Sequence, residues 1–210
     1  MRRFTGTFGR GLTHANPVVR AAMAWAIGVI VLIGAWTFSY RWLPEGAVGF
    51  SLAAQLPLDA LRERTSLTAG IFTWNLVVGG LAVLAASLFR VGRMPLAYVA
   101  PWAWFAMYGI ALGTNSFALT TPGARLAPEL DIAWSHVGLR ELSAYLFAAA
   151  ALADRHLWQQ RSWWDWRVSR VRSWAELRLS RVELALLFGA VCLLAWSAST
   201  EAAQVAAVLR

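Results

Sequence analysis

Continuous apolar runs organise this chain. Five of them, at 21–40, 67–89, 94–119, 131–153 and 183–206, are separated by polar or arginine-rich links. A helix needs about 20 mostly apolar residues to cross a hydrocarbon core of roughly 30 Å, and each run is long enough. None alternates with period two, so sheets are not expected. The predicted fold class is all-α: a polytopic transmembrane helical bundle of five spans. The link 41–66 is longer than a turn requires, and Leu56, Leu58 and Leu61 beside Asp59, Arg62, Glu63 and Arg64 suggest a short interfacial helix there. The link 90–93 is so short that the second and third spans must be antiparallel neighbours.

Composition agrees with that pattern. At 59% hydrophobic and 14% charged, with thirteen Trp in 210 residues, the chain has more apolar surface than one soluble core needs. All nineteen basic residues are Arg. With the amino end inside, thirteen fall in inside segments, five in outside segments (Arg41, Arg62, Arg64, Arg125, Arg210), and Arg140 lies within a span. That asymmetry places the N-terminus inside and the C-terminus outside. It divides the chain into a cytoplasmic basic segment (1–20), a membrane domain (21–206) with a cytoplasmic Trp/Arg-rich link (154–182), and an outer tail (207–210). About twenty residues precede the first span and no small-x-small cleavage site follows it, so it is expected to stay attached. The net charge of +8 is explained by Arg at membrane borders, and nucleic acid is not an expected partner. Cys192, the single cysteine, lies in the fifth run, and a buried apolar role is expected for it.

The fourth run is the chemically unusual one, because it carries His136, Arg140 and Glu141. At a rise of about 1.5 Å per residue, Arg140 and Glu141 lie about 13 to 15 Å from Asp131, near the midplane. Ionisable groups at that depth pair inside a bundle or line a polar path. Glu141 is turned by about 100° from Arg140 and shares a face with Gly138 and Tyr145. Asn75 on the second span reaches nearly the same depth, and Asn115 comes close to the level of His136. The candidate buried polar layer is therefore Asn75, Asn115, His136, Arg140 and Glu141. Gly79, Gly109, Gly113 and Gly138 are candidate positions for close helix packing. A structural clamp is the leading reading of the layer, a transport or proton path the alternative, and acid–base catalysis by Glu141 and His136 the third. Gly-x-Ser-x-Gly, Walker-type and His-Glu-x-x-His patterns are absent, as is lysine. With only His136 inside a span, paired-histidine haem ligation and a metal site both lack ligands. No catalytic residue, cofactor or metal is expected.

In the link 154–182, Trp158, Trp163, Trp164, Trp166 and Trp174 interleave with Arg, including Arg167 and Arg170, and neither set falls on one helical face. An interfacial segment, with Trp at headgroup depth and Arg on lipid phosphates, is the first reading. A docking surface for a cytoplasmic partner is the second, because Trp and Arg are favoured at binding hot spots.

Thr73-Trp74-Asn75-Leu76 with Gly79 and Gly80, Gly113-Thr114-Asn115-Ser116, and His136-Val137-Gly138-Leu139-Arg140-Glu141-Leu142-Ser143-Ala144 together resemble the stage II sporulation protein M family of bacterial membrane proteins. The resemblance covers about residues 65–153 and carries over Asn75, Asn115, Gly138 and Glu141. Val137 stands where the family has His, and Ser116 where it has Gly. The resemblance implies a five-span, non-enzymatic subunit of a larger assembly in the bacterial cytoplasmic (inner) membrane, with no sporulation role attached. The alternative is a permease-like subunit working with a separate ATPase, the Trp/Arg link being its coupling surface. The expected partners are the lipid bilayer and other membrane or cytoplasmic subunits, with a homo-oligomer left open.

Overall fold

The structure, a computed structural model, describes residues 9–48, 64–116, 125–135 and 137–208. The interfacial helix expected around Leu56–Leu61 lies outside the described residues, as does His136. Helix α1 (Pro17–Trp42) starts where the sequence punctuates it. Asn16 Oδ1 accepts the Val18 N–H at 2.9 Å, and Pro17 fills a first-turn position whose N–H has no helical partner in any case. Helix α2 (Arg64–Trp74) runs through a π-helical turn (Asn75–Gly79) into α3 (Gly80–Ser87). Strands β1 (Phe89–Val91) and β2 (Met94–Pro95) form a hairpin, and a 3₁₀ turn (Leu96–Tyr98) leads into α4 (Val99–Gly113). Then come α5 (Leu130–Ser135), α6 (Val137–Leu152), strands β3 (Trp158–Gln160) and β4 (Val168–Arg170), and α7 (Arg181–Val208).

Among the described residues, four helical stretches are long and apolar enough to cross a membrane: Pro17–Trp42, Thr65–Ser87, Leu96–Gly113 and Arg181–Ala207. The fourth predicted run is helical on both sides of His136, over Leu130–Ser135 and over the 16 residues Val137–Leu152. Helix α6 is the centre of the bundle, in contact with α1, α3, α4 and α7. Leu139, Leu142, Ala144, Leu146, Ala149 and Ala150 from α6 meet Leu32, Trp36 and Phe105 in one buried core. A helix walled by protein has no lipid to face over most of its surface, so it tolerates polar residues that a peripheral span does not.

Helices α1 and α4 pack most extensively, and two glycines set their approach. A Cβ at Gly109 would strike the Leu32 carbonyl, and one at Gly113 the Ser39 side chain and the Trp36 carbonyl. Backbone proximity of this kind is what small residues permit where the surrounding solvent is as apolar as the side chains. Helix α4 then ends in a Schellman turn. Asn115 takes the left-handed conformation at φ 52°, its N–H bonds to Leu112 O at 3.2 Å, and the Ser116 N–H bonds to Ala111 O at 2.9 Å. At the same end, Arg125 donates to the carbonyls of Ser39 (3.1 Å), Leu43 (3.0 Å) and Gly113, so one guanidinium holds the C-termini of two helices. Positive charge there also complements both helix dipoles.

The opposite end carries a feature the apolar pattern did not predict: a four-stranded sheet in the order β2-β1-β3-β4. Strands β1 and β3 are parallel, with Phe89, Arg90 and Val91 opposite Trp158, Gln159 and Gln160, and the other two pairings are antiparallel. None of these four strands exceeds three residues, too few to show alternation in the sequence. The sheet ties the 90–93 link to the Trp/Arg-rich link. Cys192, expected to be buried, is exposed on α7, because the residues that helix turns inward are Ala190, Leu194, Ser197 and Ala198.

Candidate functional site

Within the bundle, the structure brings Asn75 and Glu141 together. Tyr145, one turn after Glu141, places its Oη 3.0 Å from the Asn75 backbone O and 3.1 Å from Glu141 Oε1. The Asn75 side chain also hydrogen-bonds the Glu141 carboxyl. The π-helical turn starts at Asn75, and such turns re-aim backbone groups that a regular α-helix would keep to itself. Gly79 makes room for the aromatic ring, since a Cβ there would overlap Tyr145. Trp104 packs edge-on against the same ring at 5.0 Å. One phenolic proton cannot serve two acceptors fully, so both contacts are satisfied together only when the Glu141 carboxyl supplies a proton of its own. Glu201 on α7 lies near enough to act electrostatically on Glu141.

Arg140 points elsewhere, as the helical turn requires. Its guanidinium lies 4.8 Å from the Trp196 ring centroid and donates from Nη1 to Thr200 Oγ1 at 3.5 Å, both on α7. Arg140 and Glu141 therefore tie the central helix to different neighbours. Gly138 lies against the Tyr108 ring, again with no space for a Cβ. Asn115, expected in the layer, is instead half-buried in the turn that ends α4. Depth alone had grouped it with the others, whereas the left-handed backbone accounts for an Asn at that position.

A second polar cluster sits at the sheet end. Glu183, in the first turn of α7, accepts from Arg20 Nη2 at 3.1 Å, from Arg155 Nη2, and from the Ser180 N–H at 2.7 Å. Arg20 is 2% exposed and donates further to Ala150 O and His14 O, both at 3.0 Å. The triad joins α1, the end of α6 and α7. Arg20 closes the basic segment 1–20 and Glu183 opens the fifth apolar run, and nothing in the sequence pairs them. The visible signal was Ser180 followed three residues later by Glu183, a capping box, which gives the role of Glu183 in its own helix but not its cationic partners. Beside it, Arg90 Nη1 lies 3.6 Å from Asp154 Oδ1, and Arg172 Nη1 donates to Asp154 O. Burial holds the Arg90 guanidinium below its usual pKa, partly offset by Asp154. Burial, reinforced by Arg90 and Arg172, likewise lowers the pKa of His156, which favours the neutral imidazole.

The tryptophans of the Trp/Arg link divide in two. Trp158 stacks on Phe89 at 5.0 Å across the β1–β3 pairing and meets Trp174 edge-on at 6.3 Å. Trp163, Trp164 and Trp166 lie between β3 and β4 and project outward, with Trp164 90% and Trp166 88% exposed. Arg167 and Arg170 are exposed beside them. The chain matches no protein-family model, no curated protein and no solved structure.

Proposed function

We propose that this chain is a non-enzymatic integral membrane subunit of a larger bacterial membrane assembly, in keeping with its resemblance to the stage II sporulation protein M family. In this reading α5 and α6 complete a fifth span in the cytoplasmic membrane. The sheet end, which gathers Arg20, Arg90, Arg155 and Arg172, faces the cytoplasm, and the C-terminus faces outside. The observation that carries the proposal is where the intramembrane polar groups direct their bonds. Glu141, Tyr145 and Asn75 bond to one another across α6 and the π-turn, and Arg140 engages α7. Groups used in this way fix which helices meet, leaving the outer faces of the bundle for partners.

One observation favours the permease-like alternative. Glu201 on α7 acts electrostatically on Glu141 of α6, and two carboxyls that sense one another across that interface suit a charge-dependent step. Isolation in mild detergent followed by identification of co-purifying chains separates the readings. Membrane-bound assembly proteins are the expected companions, and stoichiometric recovery of an ATPase would replace the subunit proposal with the transporter one.

A further inference from the structure

Three buried nitrogens at the sheet end have no hydrogen-bond partner: Arg90 Nε, Arg155 Nε and His156 Nδ1. His156 is only 4% exposed. Buried polar atoms are nearly always satisfied, so three at one end of the bundle call for a common cause. Charge points the same way. Among the described residues, the guanidiniums of Arg20, Arg90, Arg155 and Arg172 meet only the carboxylates of Glu183 and Asp154, and Arg172 reaches the Asp154 backbone instead of its carboxylate. Water could fill a donor but would leave the excess positive charge unchanged. An anion with several acceptor oxygens answers both.

Placement narrows the anion. Arg90 stands three residues beyond the end of α3, and Asp154, Arg155 and His156 stand two to four beyond the end of α6. Side chains just past the ends of membrane-crossing helices lie at the level of lipid phosphates, where basic pockets between helices take anionic headgroups. We infer that Arg90, Arg172 and His156, with Arg155 beside them, form a binding site for a phosphate group at this end of the bundle, supplied by an anionic phospholipid headgroup or by a free phosphate. The site holds whether the chain is an assembly subunit or a permease. Asp154, about half exposed, marks the open side, and it keeps Arg90 oriented when the site is empty. A bound phosphate also reverses the field at His156, so the imidazole takes up a proton more readily in the complex.

The test uses the full chain in detergent micelles with ¹⁵N-labelled histidine. The sequence holds three His, so the His156 signals are assigned from a His156→Gln variant. The probes are phosphatidylglycerol, phosphatidylcholine with the same acyl chains, and inorganic phosphate. Saturable shifts of His156 and a rise in its pKa with phosphatidylglycerol, but not phosphatidylcholine, are expected and identify a lipid headgroup as the source. The same response to inorganic phosphate alone identifies a free phosphate. Arg90→Gln with Arg172→Gln should weaken the response by about tenfold or more, as loss of charge-assisted hydrogen bonds requires. Arg161→Gln with Arg167→Gln, exposed between β3 and β4, should leave it unchanged. The inference is overturned if no phosphate species moves His156, if phosphatidylcholine moves it as far as phosphatidylglycerol does, or if the exposed pair costs as much as the Arg90/Arg172 pair. The wild-type lipid comparison decides the matter even if the Arg90/Arg172 variant does not fold.

Discussion

Replacing Glu141 by Gln and by Leu separates a clamp from a working carboxyl. Gln keeps an acceptor for the Asn75 side chain and gains an N–H that can donate to Tyr145 Oη, while Tyr145 continues to donate to Asn75 O at 3.0 Å. The Gln variant should lose less than about 1 kcal/mol, since side-chain hydrogen bonds between membrane helices average about 0.6 kcal/mol. Leu removes every polar contact. Asn75, 8% exposed, then has a buried side-chain amide without its Glu141 partner, at a cost of about 1–3 kcal/mol. Tyr145 is not orphaned, because the Asn75 carbonyl remains, and Arg140 is untouched because it bonds to α7. The Leu variant should therefore melt below the Gln variant by several degrees, at about 2–4 °C per kcal/mol for a chain of this size. Thermal unfolding in detergent, read as loss of the monodisperse peak in size-exclusion chromatography, gives the order. Partner retention measured on the same samples gives the function. A clamp predicts that the Gln variant keeps both fold and partners. A Leu variant as stable as wild type, with its partners retained, would refute the tie between α6 and the π-turn as a working element. A folded Gln variant that loses activity would show that the ability to ionise is what matters.

Glu183→Ala leaves the 2%-exposed Arg20 without its carboxylate and should destabilise the bundle by about 3–5 kcal/mol in the same assay, the range for breaking a buried ion pair. Replacing Trp163, Trp164 and Trp166 together by Ala removes three projecting side chains, so melting should move little, by about 0.5 kcal/mol or less per site. If the segment docks a protein, that variant loses a co-purifying chain; if it only lies on lipid, the variant keeps its partners and binds anionic membranes less strongly. A reporter fused after Arg210 should face outside and one inserted between Arg161 and Arg172 the cytoplasm, and the reverse result at both sites would overturn the orientation.

Much of this molecule is determined locally. The apolar runs, the Asn16-Pro17 start of α1, the Ser180–Glu183 box that opens α7 and the left-handed Asn115 that ends α4 each depend on a few neighbouring residues, and each has a signature in the sequence. The clustering of Arg in segments that converge at one end was legible for the same reason. Even the meeting of Asn75 and Glu141 followed from depth, because rise per residue is fixed in a helix. Tertiary structure decided how each helix is rotated and therefore what every side chain faces. In a soluble helix a polar face sets that rotation. In these runs lipid and core are equally apolar, so periodicity leaves it open. Arg140 turned to Trp196 and Thr200, and Cys192 turned outward. Arg20 met Glu183 from 163 residues away. Three-residue strands found one another across the bundle end only because the helices delivered them there. Those contacts build both the polar tie and the phosphate site, and no local pattern specifies them.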